Sequence, residues 1–125
     1  MIDMNDKEKL FHAIVERVAK CCSYVMKDGR QSITAADILG RKRTENVSMS
    51  RCIAVSLLVS AGFTISSCAL MMHRSPPAIR HMMKLDRQLN ETSMVYRIAV
   101  RQSRATEGKD KREEEESQQE DKTEC

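Results

Sequence analysis

Hydrophobic side chains in the first part of the chain recur with the period of an α-helix. Between residues 6 and 26 they return at steps of three and four, a spacing that gives a helix one apolar face. The residues of this face are Phe11, Ile14, Val15, Val18, Cys22 and Val25. Residues 27–30 follow as a predicted turn, because Gly29 can adopt the left-handed conformation that ends helices.

The next apolar positions predict a short helix and then a central one. Thr34 can cap a helix start with its hydroxyl, and the carboxylate of Asp37 suits the positive end of that helix. A basic loop, 40–46, precedes the most apolar segment, 49–61, which we expect to form the central core helix. The predicted core contacts are Ile38 and Leu39 of the short helix and Met49, Ile53, Leu57, Leu58 and Ala61 of the central one.

Two closely spaced capping residues predict a pair of helices joined by a tight turn. Thr64 caps a helix over residues 65–72, only two residues after Gly62, which ends the central helix. Ser75 caps a helix over residues 76–89, with Pro76 tolerated at its first position. Its inner stripe is Ile79, Met82, Met83 and Leu89, and Arg80, Lys84 and Arg87 fall outside that stripe. A short helix, a tight turn and a longer basic helix are the order expected of a helix-turn-helix, whose second helix enters the DNA major groove.

The last apolar positions, in residues 90–104, also have helical spacing. Met94, Val95 and Ile98 share one predicted face. We expect this face to pack against the core, against a second copy in a homodimer, or against another protein partner.

Composition narrows the fold class to all-α. Aromatic residues make up 3% of the chain and methionines number nine, so aliphatic side chains and methionine fill the core, as suits helices rather than sheets. A chain of 125 residues suits a single core. The predicted architecture is a small helical bundle that contains a helix-turn-helix.

No sequence pattern points to catalysis, a cofactor or a metal. The five cysteines include no CxxC pair, and no histidine spacing completes a zinc motif. The four glycines are too scattered for a phosphate-binding loop, and the three histidines belong to no recognisable nucleophile motif. We therefore expect a protein that is not an enzyme. The absence of a signal sequence and of a long apolar run predicts a cytoplasmic location with reduced thiols.

Charge divides the chain into a basic body and an acidic tail. Residues 1–106 hold 17 Lys and Arg against nine Asp and Glu, whereas residues 107–125 hold four against nine. This division predicts one helical domain over residues 1–104 and an acidic, disordered tail over residues 105–125. It also indicates a polyanion as the partner of the basic domain.

Four short segments match a known family pattern. Segments 37–43 (DILGRKR) and 50–55 (SRCIAV) match a short helix, a basic loop and an R-Q-I-A-M core helix. Segment 63–65 (FTI) matches an L-S-L helix entry, and segment 73–81 (HRSPPAIRH) matches a G-R-D-H-S-T-V-L-H signature. Residues 36–89 thereby resemble the C-terminal DNA-binding domain of the bacterial chromosomal replication initiator DnaA. The resemblance implies that domain's fold, with double-stranded DNA as partner.

The resemblance also implies a set of DNA-contacting residues. Arg43, flanked by Arg41 and Lys42, matches the loop arginine that enters the minor groove, where narrow A·T-rich DNA attracts a guanidinium. Arg51 matches a basic residue of the core helix that is placed for phosphate contact. The other implied contacts are Thr64, Arg74, Ser75, Pro77, Ala78, His81 and Lys84.

The start of the predicted recognition helix departs from the family. Where the family has Asp, His and Ser or Thr, this chain has Ser75, Pro76, Pro77 and Ala78, so most side-chain groups that read base edges are absent. We therefore expect a target other than the family's binding box. Apolar contact with thymine methyl groups, and a phosphate at Ser75 and the helix N-terminus, are the expected interactions.

Three functions fit these observations. The first is a stand-alone DNA-binding protein that regulates replication initiation or transcription in a bacterium, a phage or another mobile element. The alternative is a protein-interaction module that keeps the helix-turn-helix fold without base readout, which the altered helix start favours. An RNA-binding protein is the third, and the scarcity of aromatic residues for base stacking argues against it.

Overall fold

The computed structural model describes residues 4–26 and 32–104, and within these it is entirely helical. The helices are α1 (Met4–Met26), α2 (Ala35–Leu39), α3 (Glu45–Ser60), α4 (Ile65–Met72), α5 (Pro76–Thr92) and α6 (residues 94–104). The prediction of an all-α small bundle is confirmed. The predicted turn at 27–30 and the predicted acidic tail at 105–125 lie outside the described residues.

Helix α1 buries the predicted face. Five of the six positions in its stripe are buried, and Val25 is half-buried against the same core. Ala19 and Met26 extend that face, because they continue the three- and four-residue steps. Helix α1 packs against both α2 and α3.

Helix α2 begins at the predicted cap. The Thr34 hydroxyl accepts a hydrogen bond from the Asp37 amide, and the Asp37 carboxylate accepts one from the Thr34 amide, both at 3.1 Å. This reciprocal capping box satisfies two amides that a short helix would otherwise leave unbonded. Ser23 of α1 holds the preceding residue, since its hydroxyl bonds both the amide and the carbonyl of Ile33.

Helix α3 is the central helix, and it is longer and more deeply buried than the sequence predicted. It packs against α1, α2, α4 and α5, so it is covered on most sides rather than along one stripe. Its first turn begins at Glu45, four residues before the predicted start, because Val47 is fully buried and draws that turn into the core. Met49 is half-buried and Ala61 is exposed, in contrast to the predicted stripe.

Two left-handed residues turn the chain at the ends of α3 and α4. Gly62 has a φ of 105°, and His73 has a φ of 56°. At each turn the following amide bonds to the carbonyl five residues before it: Phe63 N–H to Leu58 O at 3.0 Å, and Arg74 N–H to Ala69 O at 2.9 Å. These are Schellman motifs, which satisfy the last carbonyls of each helix.

The turn after α4 leads into α5 as predicted. Ser75 is the N-cap, its hydroxyl accepts the Ala78 amide, and Pro76 is the first helical residue. Helix α5 reaches Thr92, three residues beyond the predicted end. Its amphipathic prediction is confirmed, since Ile79 is buried while Arg80, Lys84 and Arg87 are exposed.

Helix α6 packs on the core with a face other than Met94, Val95 and Ile98, so the core alternative for these three residues is wrong, while their contact with a second copy or another protein stays a prediction. Met94, Val95 and Ile98 are exposed, at 67%, 44% and 41%. The residues that it buries are Tyr96, Ala99, Val100 and Ser103. Tyr96 decides this orientation, because its ring is fully buried and its hydroxyl donates to Asp86 of α5, which a rotated helix would forfeit. No helix within the described ranges combines the length and apolar character that a membrane crossing requires.

Candidate nucleic-acid interface

Arg74 joins the basic loop to the turn between α4 and α5. Its guanidinium donates to the carbonyl of Gly40 in the loop and to the carbonyl of Met72 at the end of α4, the latter at 3.1 Å. Hydrogen bonds from a charged donor are stronger than neutral ones, and this donor links residues 34 positions apart. The loop that follows α2 is therefore held beside the N-terminus of α5.

This link creates an open cleft of about 600 Å³ between the loop and the turn. We call it the basic cleft. Its lining residues are Arg41, Ala69, Leu70, His73, Arg74, Ser75 and Ala78. Four of the sequence-predicted DNA contacts, Arg41, Arg74, Ser75 and Ala78, thus lie around one cavity although the chain separates the first from the others by more than 30 residues.

The cleft and the loop concentrate positive charge. Burial lowers the pKa of Arg74, and the neighbouring charge of Arg41 lowers it further. The pKa of Arg51 is also lowered, chiefly by burial and then by the charge of Arg74, with Arg43 contributing in the same direction. Because these four guanidiniums lie close enough to repel one another, an anion placed at the cleft gains favourable interactions with several of them.

Arg51 has a different position from the one that its predicted phosphate contact requires. Only 6% of this residue is exposed, and its guanidinium lies under the basic loop rather than on the surface. It donates to four backbone carbonyls, those of Asp37, Ile38, Gly40 and Lys42, at 2.7 to 3.2 Å. Burial without such partners would be costly for a charged group, so these carbonyls fix where Arg51 lies. Arg51 therefore shapes the loop from within.

The first four residues of α5 offer no free backbone amide for a phosphate. Pro76 and Pro77 have no N–H group, the Ala78 amide donates to the Ser75 hydroxyl, and the Ile79 amide donates to the Ser75 carbonyl. Phosphate binding at a helix start depends on such amides. The expected phosphate contact through the α5 N-terminus thus lacks the donors of these four residues and would depend on Ser75.

The exposed face of α5 carries three of the predicted contacts. Pro77, His81 and Lys84 are exposed and follow one another at steps of four and three residues, so they form one row along the helix. In the loop, Arg43 is exposed and Lys42 is half-buried. Each of these five residues is near in sequence to a residue of the basic cleft, but none of them lines it.

Thr64 lies at the start of α4, where it has a capping role. Its hydroxyl accepts the amide of Ser67 at 3.0 Å and lies 3.1 Å from the Ser67 hydroxyl. The ammonium of Lys7 lies 3.3 Å from the same Ser67 hydroxyl and 5.6 Å from the centre of the Phe63 ring. A lysine beside the positive end of a helix adds to the local positive potential. The structure therefore brings Lys7, from the other end of the domain sequence, next to Thr64.

Sequence reasoning did not select Lys7, His73 or Leu70 as site residues. His73 lines the cleft because a left-handed residue is needed to turn from α4 toward α5, and the tight spacing of the two helices was the signal for that. Leu70 lies in the cleft wall and is 77% exposed. Helical periodicity alone does not reveal this exposure, because it does not say which face of α4 points toward the core. Lys7 is recognisable only from the packing of α1.

The buried thiols do not provide a nucleophile. Burial raises the pKa of Cys22 and of Cys52 from 9.0 to about 11, and it raises that of Cys68 as well. A protonated, enclosed thiol is a poor nucleophile and metal ligand. Across residues 4–26 and 32–104, no three His, Cys, Asp or Glu side chains are grouped so that they could hold a metal ion.

The chain matches no protein-family model, no curated protein and no solved structure. The similarity of residues 36–89 to the initiator's DNA-binding domain therefore rests on the sequence segments alone.

Proposed function

We propose that this protein binds double-stranded DNA through the basic cleft, with α4 and α5 acting as a helix-turn-helix. The observation that carries the proposal is the Arg74 link, because it places a basic loop and the start of a basic helix around one cavity. In this arrangement α5 enters the major groove while residues 41–43 reach the adjacent minor groove or its phosphates.

The geometry supports binding that depends more on phosphates than on bases. Arg41, Arg43 and Lys84 are exposed cations, and neutralising phosphates releases counterions whatever the base sequence. The first turn of α5 presents Ser75, Pro77 and Ala78, of which only Ser75 carries a hydrogen-bonding side chain. If binding occurs in this way, preference for particular DNA sequences comes from contacts with thymine methyl groups and from the width of the minor groove.

The biological role that we propose follows the resemblance of residues 36–89. A domain of the DnaA C-terminal type would regulate replication initiation or transcription in a bacterium or phage by occupying DNA. The proposal for these 125 residues is DNA occupancy, because they contain no nucleotide-hydrolysing motif.

The test is equilibrium binding of a fluorescent DNA duplex of about 20 base pairs across a salt series, from about 50 to 200 mM, where counterion release has its largest effect. We compare the natural chain with Arg41→Ala, Arg43→Ala and the double variant. Each substitution is expected to weaken binding and to reduce the slope of log affinity against log salt by about one. Arg43→Lys should retain the slope but lose preference for A·T-rich duplexes.

The matched control is Arg101→Ala, because Arg101 is an exposed arginine of α6 that does not line the cleft. This substitution should leave affinity nearly unchanged. Absence of binding at low salt by both the natural chain and a variant with residues 113–116 changed from Glu to Gln, or equal losses for Arg41→Ala and Arg101→Ala, would refute the proposal.

A protein-interaction module is the second candidate, favoured by the apolar wall of the cleft. Leu70 is 77% exposed there, beside Ala69 and Ala78. An exposed leucine among small side chains suits contact with another protein better than contact with phosphates. If this candidate is correct, Leu70→Ser abolishes capture of a protein partner and leaves any DNA affinity unchanged.

A further inference from the structure

We propose that the acidic segment 107–125 of this chain binds its own basic cleft and competes there with DNA. The competition rests on the proposed function, whereas the binding of the segment to the cleft does not. The occupant is thus a named part of the same chain, and its recognition is electrostatic.

Charge complementarity carries the first step. The cleft and its loop present the exposed Arg41 and Arg43 beside Arg74, whose guanidinium is already partly desolvated. Segment 107–125 has nine acidic residues against four basic ones, and residues 113–116 are four consecutive glutamates. A run of carboxylates offers the guanidiniums the same bidentate hydrogen bonding that phosphates do.

Chain length allows the later acidic residues of the segment to reach any face of the domain, and it allows the glutamate run to reach all but the most distant surface. Helix α6 is described to residue 104, and the run of glutamates begins nine residues later. Extended chain covers at most about 3.5 Å per residue, so the run can lie about 30 Å from the end of α6, and Asp121 about 60 Å. A domain of this size has a radius of gyration of about 13 Å, so its opposite faces are about 35 Å apart.

The exposed cations of α6 are a second possible binding site for the acidic segment. Arg97, Arg101 and Arg104 are exposed and lie nearer in sequence to the acidic run. These three arginines lie in a row along one helix. In the cleft, by contrast, an arginine from the loop and one from the turn lie around one cavity, and Arg51 lies beneath it. Several cations around one concave surface bind a flexible polyanion more strongly than a row on a convex helix does. We therefore expect the cleft to be preferred.

The first experiment detects the contact without DNA. A nitroxide is attached to Cys125 in a Cys21→Ser background. The other three cysteines, Cys22, Cys52 and Cys68, are buried and therefore protected from the label. We expect broadening of the amide signals of Arg41, His73 and Ser75. Broadening should disappear at about 0.5 M salt, where charges are screened within a few ångströms, and in a variant with residues 113–116 changed from Glu to Gln.

The second experiment measures the competition in the full-length chain. The same Glu→Gln variant of residues 113–116 should bind a DNA duplex at least about fivefold more tightly at low salt, the lower end of typical coupling between two linked binding events. The control raises net charge equally at the surface of the folded domain, with Asp6→Asn, Glu8→Gln, Glu16→Gln and Glu91→Gln, all at exposed positions. A smaller gain in the control than in the tail variant supports the proposal.

The outcomes separate the two proposals. Broadening at the cleft in the natural chain, together with no DNA binding by either the natural chain or the Glu→Gln variant of residues 113–116, would support the segment contact and refute the proposed function. DNA binding with equal gains in the tail and control variants, and broadening that is absent or confined to α6, would overturn the inference and leave the proposed function intact.

Discussion

Replacing Arg51 with methionine tests whether this arginine supports the fold or contacts DNA. The substitution keeps a long, unbranched side chain but removes four hydrogen bonds to backbone carbonyls. Each hydrogen bond from a charged donor contributes about 1.5–3 kcal/mol to stability, although such contributions are not additive. The carbonyls of Gly40 and Lys42 belong to half-buried residues, so water can replace part of the loss there. We therefore expect the free energy of unfolding to fall by about 3 kcal/mol.

Urea denaturation followed by far-UV circular dichroism measures this loss. With a slope of about 1 kcal/mol per molar urea for a domain this small, the midpoint should fall by about 3 M. Arg51→Lys should lose about 2 kcal/mol, because one ammonium cannot reach four carbonyls as a planar guanidinium does. Arg101→Met, at an exposed position of α6, is the control and should change stability by less than about 0.5 kcal/mol. If Arg51→Met matched that control while weakening DNA binding, the interpretation of Arg51 as a buried support of the loop would be refuted.

Three further predictions concern the turns and the buried thiols. His73→Gly should raise the free energy of unfolding by about 1 kcal/mol, because glycine adopts the left-handed conformation of this residue without the Cβ penalty; a loss of stability in urea would indicate that the imidazole is needed. Ser75→Ala should lower it by about 1 kcal/mol through loss of the α5 cap, whereas Ser66→Ala, exposed and outside any cap, should have little effect. The contribution of the Cys22 and Cys52 thiols to stability should be complete well below pH 9 and be lost as pH rises toward 11, because these thiols ionise near 9.0 when unfolded but have a pKa of about 11 when buried. Urea midpoints at several pH values check this, and a Cys22→Ala, Cys52→Ala variant with an unchanged slope would contradict it.

Local chemistry predicted much of the fold at the level of helix starts and turns. Thr34, Thr64 and Ser75 cap the helices that they were expected to cap, and Gly62 turns the chain after α3. Such signals depend on a residue and its near neighbours, so they can be recognised in the chain itself. The periodicity of α1 was equally informative, because a long helix with one buried face repeats its pattern several times.

The errors arose where burial depends on several partners at once. The start of α3 was placed four residues late because Val47 stands among polar residues and only packing shows that it is buried. The sequence could not decide which face of α6 packs on the core, because Met94, Val95 and Ile98 are more apolar than Tyr96 and Ser103. The structure buries the tyrosine instead, since its hydroxyl finds Asp86. Hydrophobicity does not record the hydrogen-bond partner that makes a polar group acceptable in a core.

In the candidate site, too, some features follow from the sequence and others depend on the tertiary structure. The sequence by itself determined which residues are cationic, where helices begin, and that Pro76 and Pro77 lack amides, since these are properties of single residues and short segments. Tertiary structure alone decided that Arg51 lies beneath the basic loop while Arg41 and Arg74 face the cleft. The physical reason is that all three carry the same charge, and only the fold decides which backbone carbonyls come within reach of the Arg51 and Arg74 guanidiniums.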